Sequence, residues 1–286
     1  MGRAPQAGPP LIRLAVRCTP AVADRVLAEL LELAPGGVEE EAGAEWVEYA
    51  IYGAPGELPE LGSVQAVAGD EQIEVTSAEI PDDWADRWQD FHEPVIVGEH
   101  VMIRPSWADR PADSLIDVVI DPGQAFGTGA HPTTRMCVEL LLDIEAAGEA
   151  HGAFADLGTG SGVLAITARK LGFDPVVAID SELAALEATA ANAAVNEAAV
   201  ETERVNVRQS DPPLAHTTVA NLTAPLLVEV AAAIGRRTAP SPRRLLCSGL
   251  LAREAEEVSA SFVAAGLAER ARRQSGDWVA LGFASQ

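Results

Sequence analysis

From residue 153 onward, strand-like and helix-like segments alternate, and the first strand runs directly into Asp156-Leu157-Gly158-Thr159-Gly160-Ser161-Gly162 before a helical SGVLAITARKLG. This glycine-rich turn between strand and helix constrains the fold most. Glycines there let backbone approach a ligand closely, and the helix start offers unpaired N–H groups to an anionic group. After it come VVAID, SELAALEATAANAAVN, RVNVRQ, TTVANL, APLLVEVAAAI, RRLLCSGL, LAREAEEVSASFVAAG, LAERARRQ and WVALGF. Strands separated by helices of this length predict a doubly wound, mostly parallel sheet, with an antiparallel last strand because so few residues join LAERARRQ to WVALGF.

Upstream, residues 11–80 read as a separate α+β unit. LIRLAVRC alternates as a strand, TPAVADRVLAELLELA has helical spacing with Thr19 as cap and Pro20 at the first helical position, and VEEEAGAEWVEYAIY reads as a hairpin turning at Ala42-Gly43-Ala44. ELPELGSVQAVAG is a weaker helix and QIEVTSAEI a last strand, completing a βαββαβ order of the ferredoxin-like kind. The expected domains are therefore 1–80, a connector over 81–110, and 111–286. The connector holds Trp84, Trp88, Phe91 and Trp107, too many aromatic rings for a flexible linker.

Charge narrows the partners. The formal net charge is -23, and the chain has nineteen Arg but a single lysine, Lys170. Nucleic acid binding draws on phosphate neutralisation by Lys and Arg, so a direct nucleic acid partner is not expected. Residues 1–80 hold fourteen acids and four Arg, a net of -10, against -13 over the other 206 residues, so the small unit is the denser anion and suits attraction of a basic macromolecule. No run of about 18 apolar residues could span a bilayer, and MGRAPQAGPP lacks the apolar core of a signal peptide. The three cysteines, Cys18, Cys137 and Cys247, are odd in number and far apart, so neither a disulfide framework nor a metal site is indicated. The expectation is a cytoplasmic monomer without a membrane anchor.

Three segments carry candidate chemistry. GxGxG differs from the dinucleotide fingerprint GxGxxG and has the spacing usual in S-adenosylmethionine-dependent methyltransferases, although Asp180, 22 residues after Gly158 and placed to accept from ribose hydroxyls, also suits NAD. A strand-end Asp can equally cap a following helix, here beginning at Ser181. The second segment is Asp121-Pro122-Gly123-Gln124-Ala125-Phe126-Gly127-Thr128-Gly129-Ala130-His131-Pro132-Thr133-Thr134, a loop leading into a helix. Its threonines either cap that helix or face a ligand, and His131 is either a base or a hydrogen-bonded structural residue. The third is Val219-Ala220-Asn221-Leu222-Thr223-Ala224-Pro225-Leu226. Ligands of open α/β sheets bind outside the carboxyl ends of the strands, so Asn221 is aimed at the same crevice as Gly158 and Asp180, unless it only forms a turn.

Taken together, DPGQAFGTGAHPTTRMC, FADLGTGSGVLAI and VANLTAPLL resemble the corresponding motifs of the ribosomal protein L11 methyltransferase family. DDWADRWQDFHEPVIVGEHVMIRPSW, SGLLAREAEEVSASFVAAG and DWVALGF resemble it too, so the likeness runs from about residue 82 to 284 and more loosely over 11–80. It implies a Rossmann-like, seven-stranded class I methyltransferase domain preceded by a small ferredoxin-like, substrate-recognising domain. The implied cofactor is S-adenosylmethionine, contacted by Thr134, Gly158, Asp180 and Asn221, with Gly160 and Thr128 of the same loops beside them and Asn221 at the reaction centre. The implied substrate is ribosomal protein L11, at lysine side chains and the α-amino group. Phe126 and Trp107 are candidate walls for the target amine. The stretch Thr223-Ala224-Pro225 is one residue shorter than the family's usual loop, which bears on the amine contacts. Alternatives are a lysine methyltransferase acting on another protein, such as an electron-transfer flavoprotein, a nicotinamide-dependent oxidoreductase, and a non-catalytic module that kept the fold.

Overall fold

The computed structural model describes the chain apart from residues 1–11, 34–37, 44, 54–57, 59–60, 70, 72, 80–92, 111–114, 122–128, 238–241 and 286. It divides into two compact units at residues 91 and 92. Trp84, Trp88, Phe91, Phe126 and Thr128 lie outside the described residues.

In the first unit the order is β1 (Ile12–Cys18), α1 (Ala23–Leu33), β2 (Glu39–Ala42), β3 (Val47–Gly53), α2 (Gly62–Ala68) and β4 (Glu74–Glu79). The strands form one antiparallel sheet in the order β2-β3-β1-β4. Alternation sorts its two faces. Val16, Cys18, Tyr49 and Ile51 are buried together with Val26 and Leu30 of α1. On the other face Glu48 accepts from Arg13 at 2.7 Å and Arg17 at 2.9 Å, and Arg17 lies 4.2 Å over the Trp46 ring. The hairpin closes at Gly43, whose N–H donates to the Trp46 carbonyl. One boundary differs from the sequence expectation: α1 begins at Ala23, after a turn through Thr19–Val22, and not at Pro20.

The second unit opens with a three-stranded sheet, β5 (Val95–Val97), β6 (Val101–Arg104) and β7 (Ile116–Val119), in the order β5-β6-β7. Residues expected to act as connector thus pair with a strand beyond residue 110. The buried Arg104 guanidinium grips Asp117 with two hydrogen bonds of 2.7 and 2.8 Å, and Lys170 donates its ammonium to the Asp117 carbonyl.

The main sheet follows: α3 (Pro132–Ala146), β8 (Phe154–Leu157), α4 (Val163–Leu171), β9 (Val176–Asp180), α5 (Leu183–Val195), β10 (Glu201–Arg204), β11 (Thr217–Asn221), α6 (Ala224–Arg236), β12 (Arg244–Leu251), α7 (Ala255–Ala264), β13 (Leu267–Ser275) and β14 (Trp278–Ser285). Seven strands order as β10-β9-β8-β11-β12-β14-β13, the first five parallel and β14 antiparallel to both neighbours. Leu227, Val230 and Ile234 of α6 and Val258 and Phe262 of α7 pack with Leu157, Ala220, Leu245 and Leu281 into one core. The chain winds outward from β8 to β10 and then returns to the other side of β8 as β11. That reversal parts the connections at the carboxyl ends of β8 and β11 and leaves a crevice there.

Of RVNVRQ, expected as a strand, only Arg204 lies in one. The strand is the preceding Glu-Thr-Glu-Arg of β10, exposed along its whole length at the sheet edge. An edge strand with no buried face carries no apolar alternation to read. Val205 and Val207 instead pack from the following loop against the core.

Candidate functional site

β8 is buried at every residue, so its course is fixed by the core and its end delivers the glycine-rich turn to the crevice. Gly158, Gly160 and Gly162 adopt φ of 72°, 56° and 83°. At Gly158 a Cβ would stand 2.3 Å from Leu222 Cδ2, so another residue would displace that side chain as well as strain the left-handed backbone. The turn is held from several sides. Gly158 and Thr159 N–H groups donate to the Ile179 carbonyl at 2.8 and 3.0 Å. Asp156 Oδ2 accepts from Thr159 Oγ1 at 2.8 Å and from Ala165 N–H at 3.1 Å.

Asp180 ends β9 and turns its carboxylate back on this loop. Oδ2 accepts from Gly160 N–H and Oδ1 from Glu182 N–H, each at 3.1 Å. Asp180 thus braces the glycine turn and bonds ahead of the next helix without capping it, the helix starting at Leu183, not Ser181. A carboxylate has about four acceptor sites, so two backbone donors leave room for further hydroxyl donors.

Asn221 ends β11, and its Nδ2 donates to Thr134 Oγ1 at 3.5 Å. Its Oδ1 is buried without a hydrogen-bond partner among the described residues. A buried carbonyl oxygen left bare is costly, and such groups in native proteins commonly await a donor. Thr134 is itself fully buried in the first turn of α3. Helix capping falls to neither threonine expected for it. His131 is the N-cap, its Nδ1 accepting from Thr133 N–H at 3.3 Å and meeting Thr133 Oγ1 at 2.7 Å. The His131 ring stands edge-on to Trp278 at 4.9 Å. His131 thus caps α3 and faces an aromatic neighbour.

The structure therefore brings Gly158, Gly160 and Asp180 into one bonded group, and Asn221 and Thr134 into another, with Leu222 joining the two against Gly158. Trp107 is 38% exposed in the turn after β6, whose Ser106 N–H donates to Asp121 Oδ1 at 2.7 Å. Sequence reasoning gave no role to Asp156 or Trp278. Asp156 heads the glycine motif, and Trp278 starts a strand whose apolar run reads only as core. Among the described residues no cluster of three or more His, Cys, Asp or Glu is arranged to hold a metal, and no helix is long and apolar enough to cross a membrane.

Two buried groups of this site titrate in opposite senses. Burial, aided by the charge of Arg135, pushes the His131 imidazole down to about 4. Burial pushes the Asp156 carboxyl up to about 7 against the hydrogen bonds from Thr159 and Ala165. An unfolded histidine titrates near about 6.5 and an unfolded aspartate near about 3.9. The His131 contribution to stability is complete above about pH 6.5 and is lost as pH falls through the folded value. The Asp156 contribution is complete below about pH 3.9 and is lost as pH rises through its folded value. They are worth about 3 and about 4 kcal/mol over their windows, and the two slopes oppose in the wild type. His131→Asn, which keeps a capping acceptor, is expected to lose less stability toward acid than wild type. Asp156→Asn is expected to lose less on going up to about pH 7.5. Urea midpoints across this range check both, and parallel curves for all three proteins would contradict the assignment.

Comparison with known proteins places this site in context. A sequence model of the family described as ribosomal protein L11 methyltransferase matches residues 55–286. A ribosomal protein L11 methyltransferase of Geotalea uraniireducens is 38% identical over 216 residues, covering 71% of this chain and 67% of that protein. One from Herpetosiphon aurantiacus is 35% identical over 243 residues, covering 77% and 74%. Among solved structures, a ribosomal protein L11 methylase from Lactobacillus delbrueckii subsp. bulgaricus superposes with a TM-score of 0.60 at 26% identity, covering 68% of this chain and 98% of the other.

Proposed function

The chain belongs to the ribosomal protein L11 methyltransferase family, and we propose that it transfers methyl groups from S-adenosylmethionine to amino groups of ribosomal protein L11, at lysine side chains and the N-terminal α-amino group. The observation that carries this reading is the bare, buried Oδ1 of Asn221, whose Nδ2 bonds Thr134, at the carboxyl end of β11.

The residues present fit the cofactor. The glycine turn with Gly158 and Gly160 would hold its methionine part, Asp180 its ribose hydroxyls, and Thr134 and Asn221 would lie beside the reacting end, with Thr128 assigned to the same contact set. When bound, S-adenosylmethionine supplies an electrophilic methyl group that carries its own leaving group. What remains for the chain is to present a neutral amine in line. A free lysine, at about 10.4, is protonated at neutral pH, and an apolar crevice lowers that value. Asn221 Oδ1 accepts an N–H of the neutral amine and so aims its lone pair away from itself. No side chain here is assigned as general base; the proton leaves to solvent before the amine is enclosed.

The element order βαββαβ and strand order β2-β3-β1-β4 support a ferredoxin-like reading of the small unit, and its acidity supports a role in gripping a basic ribosomal protein. A domain division at 1–80, 81–110 and 111–286, a cytoplasmic location, a monomeric state and the lack of a nucleic acid partner belong to the same proposal. The test is incubation of the purified protein with labelled S-adenosylmethionine and purified L11. Label on L11 is expected, and Asn221→Ala is expected to slow transfer about a hundredfold at saturating cofactor. Label on another protein of a cell extract and none on L11 would replace the substrate, and an Asn221→Ala rate equal to wild type would remove Asn221 from the reaction centre.

A further inference from the structure

The sequence LAALEATAANAAV of α5 reads as an alanine-rich helix, yet it buries three polar side chains on one face: Thr189, Asn192 and, just past its end, Asn196. Their spacing of three and four residues stacks them along one line. Burying an amide is unfavourable unless its atoms are bonded, and here both ends of each asparagine amide are used. Thr189 Oγ1 donates to the Gly160 carbonyl at 3.0 Å. Asn192 Nδ2 donates to the Ser161 carbonyl at 2.8 Å, while its Oδ1 accepts from Asp121 N–H at 3.4 Å. Asn196 Oδ1 accepts from Val119 N–H at 2.8 Å, and its Nδ2 donates to the Val119 carbonyl at 2.6 Å and the Asn192 carbonyl at 2.8 Å.

The partners fall into two groups. Gly160 and Ser161 belong to the glycine-rich turn. Val119 and Asp121 belong to the end of β7, from which the chain runs on to His131 and Thr134. Asn192 alone touches both. Thr189 and Asn192 thus hold two successive carbonyls of the turn from the α5 side. Gly160 is the same residue whose N–H is taken by Asp180.

We propose that Asn192 is a positioning residue that locks the glycine-rich turn and the end of β7 into one register, with Thr189 as the arm to the turn and Asn196 as the arm to β7. The claim rests on the reading of the crevice as a methyl-transfer site. It separates two effects: the arm to the turn governs cofactor affinity, and the arm to β7 governs how the substrate side meets a cofactor already bound.

The experiment compares Thr189→Val, Asn196→Ala and Asn192→Ala in the full chain, measuring S-adenosylmethionine affinity by calorimetry, kcat on purified L11 at saturation, and Tm. Thr189→Val keeps the side-chain volume and removes one hydrogen bond. It is expected to weaken cofactor binding about tenfold with kcat within about threefold of wild type. Asn196→Ala is expected to do the reverse, and Asn192→Ala to change both by about tenfold. If the variants lower Tm while affinity and kcat stay within about twofold, the residues are structural only and the proposal is overturned. Should Asn192→Ala fail to fold, the split between the other two variants still decides. If wild type binds S-adenosylmethionine but leaves L11 unlabelled, the substrate assignment fails, whereas the affinity change in Thr189→Val continues to test the clamp.

Discussion

Gly249→Ala is expected to be the most damaging single substitution in the crevice, costing about 3–5 kcal/mol of stability and abolishing transfer. Gly249 lies in β12 where its pairing with β14 shifts register between Cys247 and Leu250. Its φ is 86°, and an added Cβ would meet the Leu222 backbone, at 2.5 Å from the carbonyl oxygen, 2.9 Å from the carbonyl carbon and 3.0 Å from the nitrogen. No rotamer change relieves a contact with backbone. The left-handed conformation costs an L-residue about 1–2 kcal/mol by itself, and the clash adds a term of similar or larger size. The segment that would have to move is Leu222, hydrogen-bonded to Ser248 at 3.0 Å and next to Asn221. Total stabilities of about 5–15 kcal/mol leave such a variant marginal. Urea unfolding and the L11 methylation rate measure the two effects. A loss below about 1 kcal/mol with normal turnover would mean that the bulge adapts and does not fix Asn221.

Asp180→Ala is expected to weaken S-adenosylmethionine binding by at least about a hundredfold while leaving the fold intact. The substitution removes the acceptor of Gly160 N–H, freeing the turn on the crevice side, and removes the anionic partner proposed for the ribose. Hydrogen bonds to a charged group are worth about 1.5–3 kcal/mol each, and about 2.7 kcal/mol corresponds to a hundredfold. Calorimetric titration reads this directly. Affinity within about twofold of wild type would exclude the ribose role and leave Asp180 as a brace of the turn alone. Asp180→Asn should fall between, since an amide oxygen can still accept from one backbone donor but supplies no charge.

Legibility in the sequence followed how local the determining physics is. Gly158, Gly160, Asp180 and Asn221 could be assigned to one crevice because βα order alone brings successive parallel strands to end on the same side. Thr134 could be added because a loop feeding a helix start aims its first turn back at that loop. Thr128 sits in the same motif but lies outside the described residues. The cap on α3 was not legible, because His131 and the threonines are all competent acceptors and only the three-dimensional turn selects His131. β10 was displaced because an exposed edge strand lacks the alternation that betrays a half-buried one. Asn192 and Asn196 were invisible for a different reason. Their partners at Asp121 and Val119 are 71 and 77 residues away, and nothing local distinguishes a buried asparagine in an alanine-rich helix from an exposed one. The small unit's element order is legible because alternation and turn residues are local signals, whereas the pairing of Glu48 with Arg13 and Arg17 is set by strand register.

Lys170, tied through its ammonium to the Asp117 carbonyl, has a practical meaning for the lysine methylation proposed above. It is the single lysine of the chain, and it projects from the last turn of α4, at the end of that helix away from the glycine-rich turn. Its bond to a main-chain oxygen and its partial burial, which lowers its proton affinity against the pull of Asp117, hold it in place. The chain therefore brings a single, tethered lysine side chain of its own to such chemistry. In a labelling assay, side-chain signal at the enzyme's own mass is limited to that one site, against which weak or slow transfer to an added protein can be read.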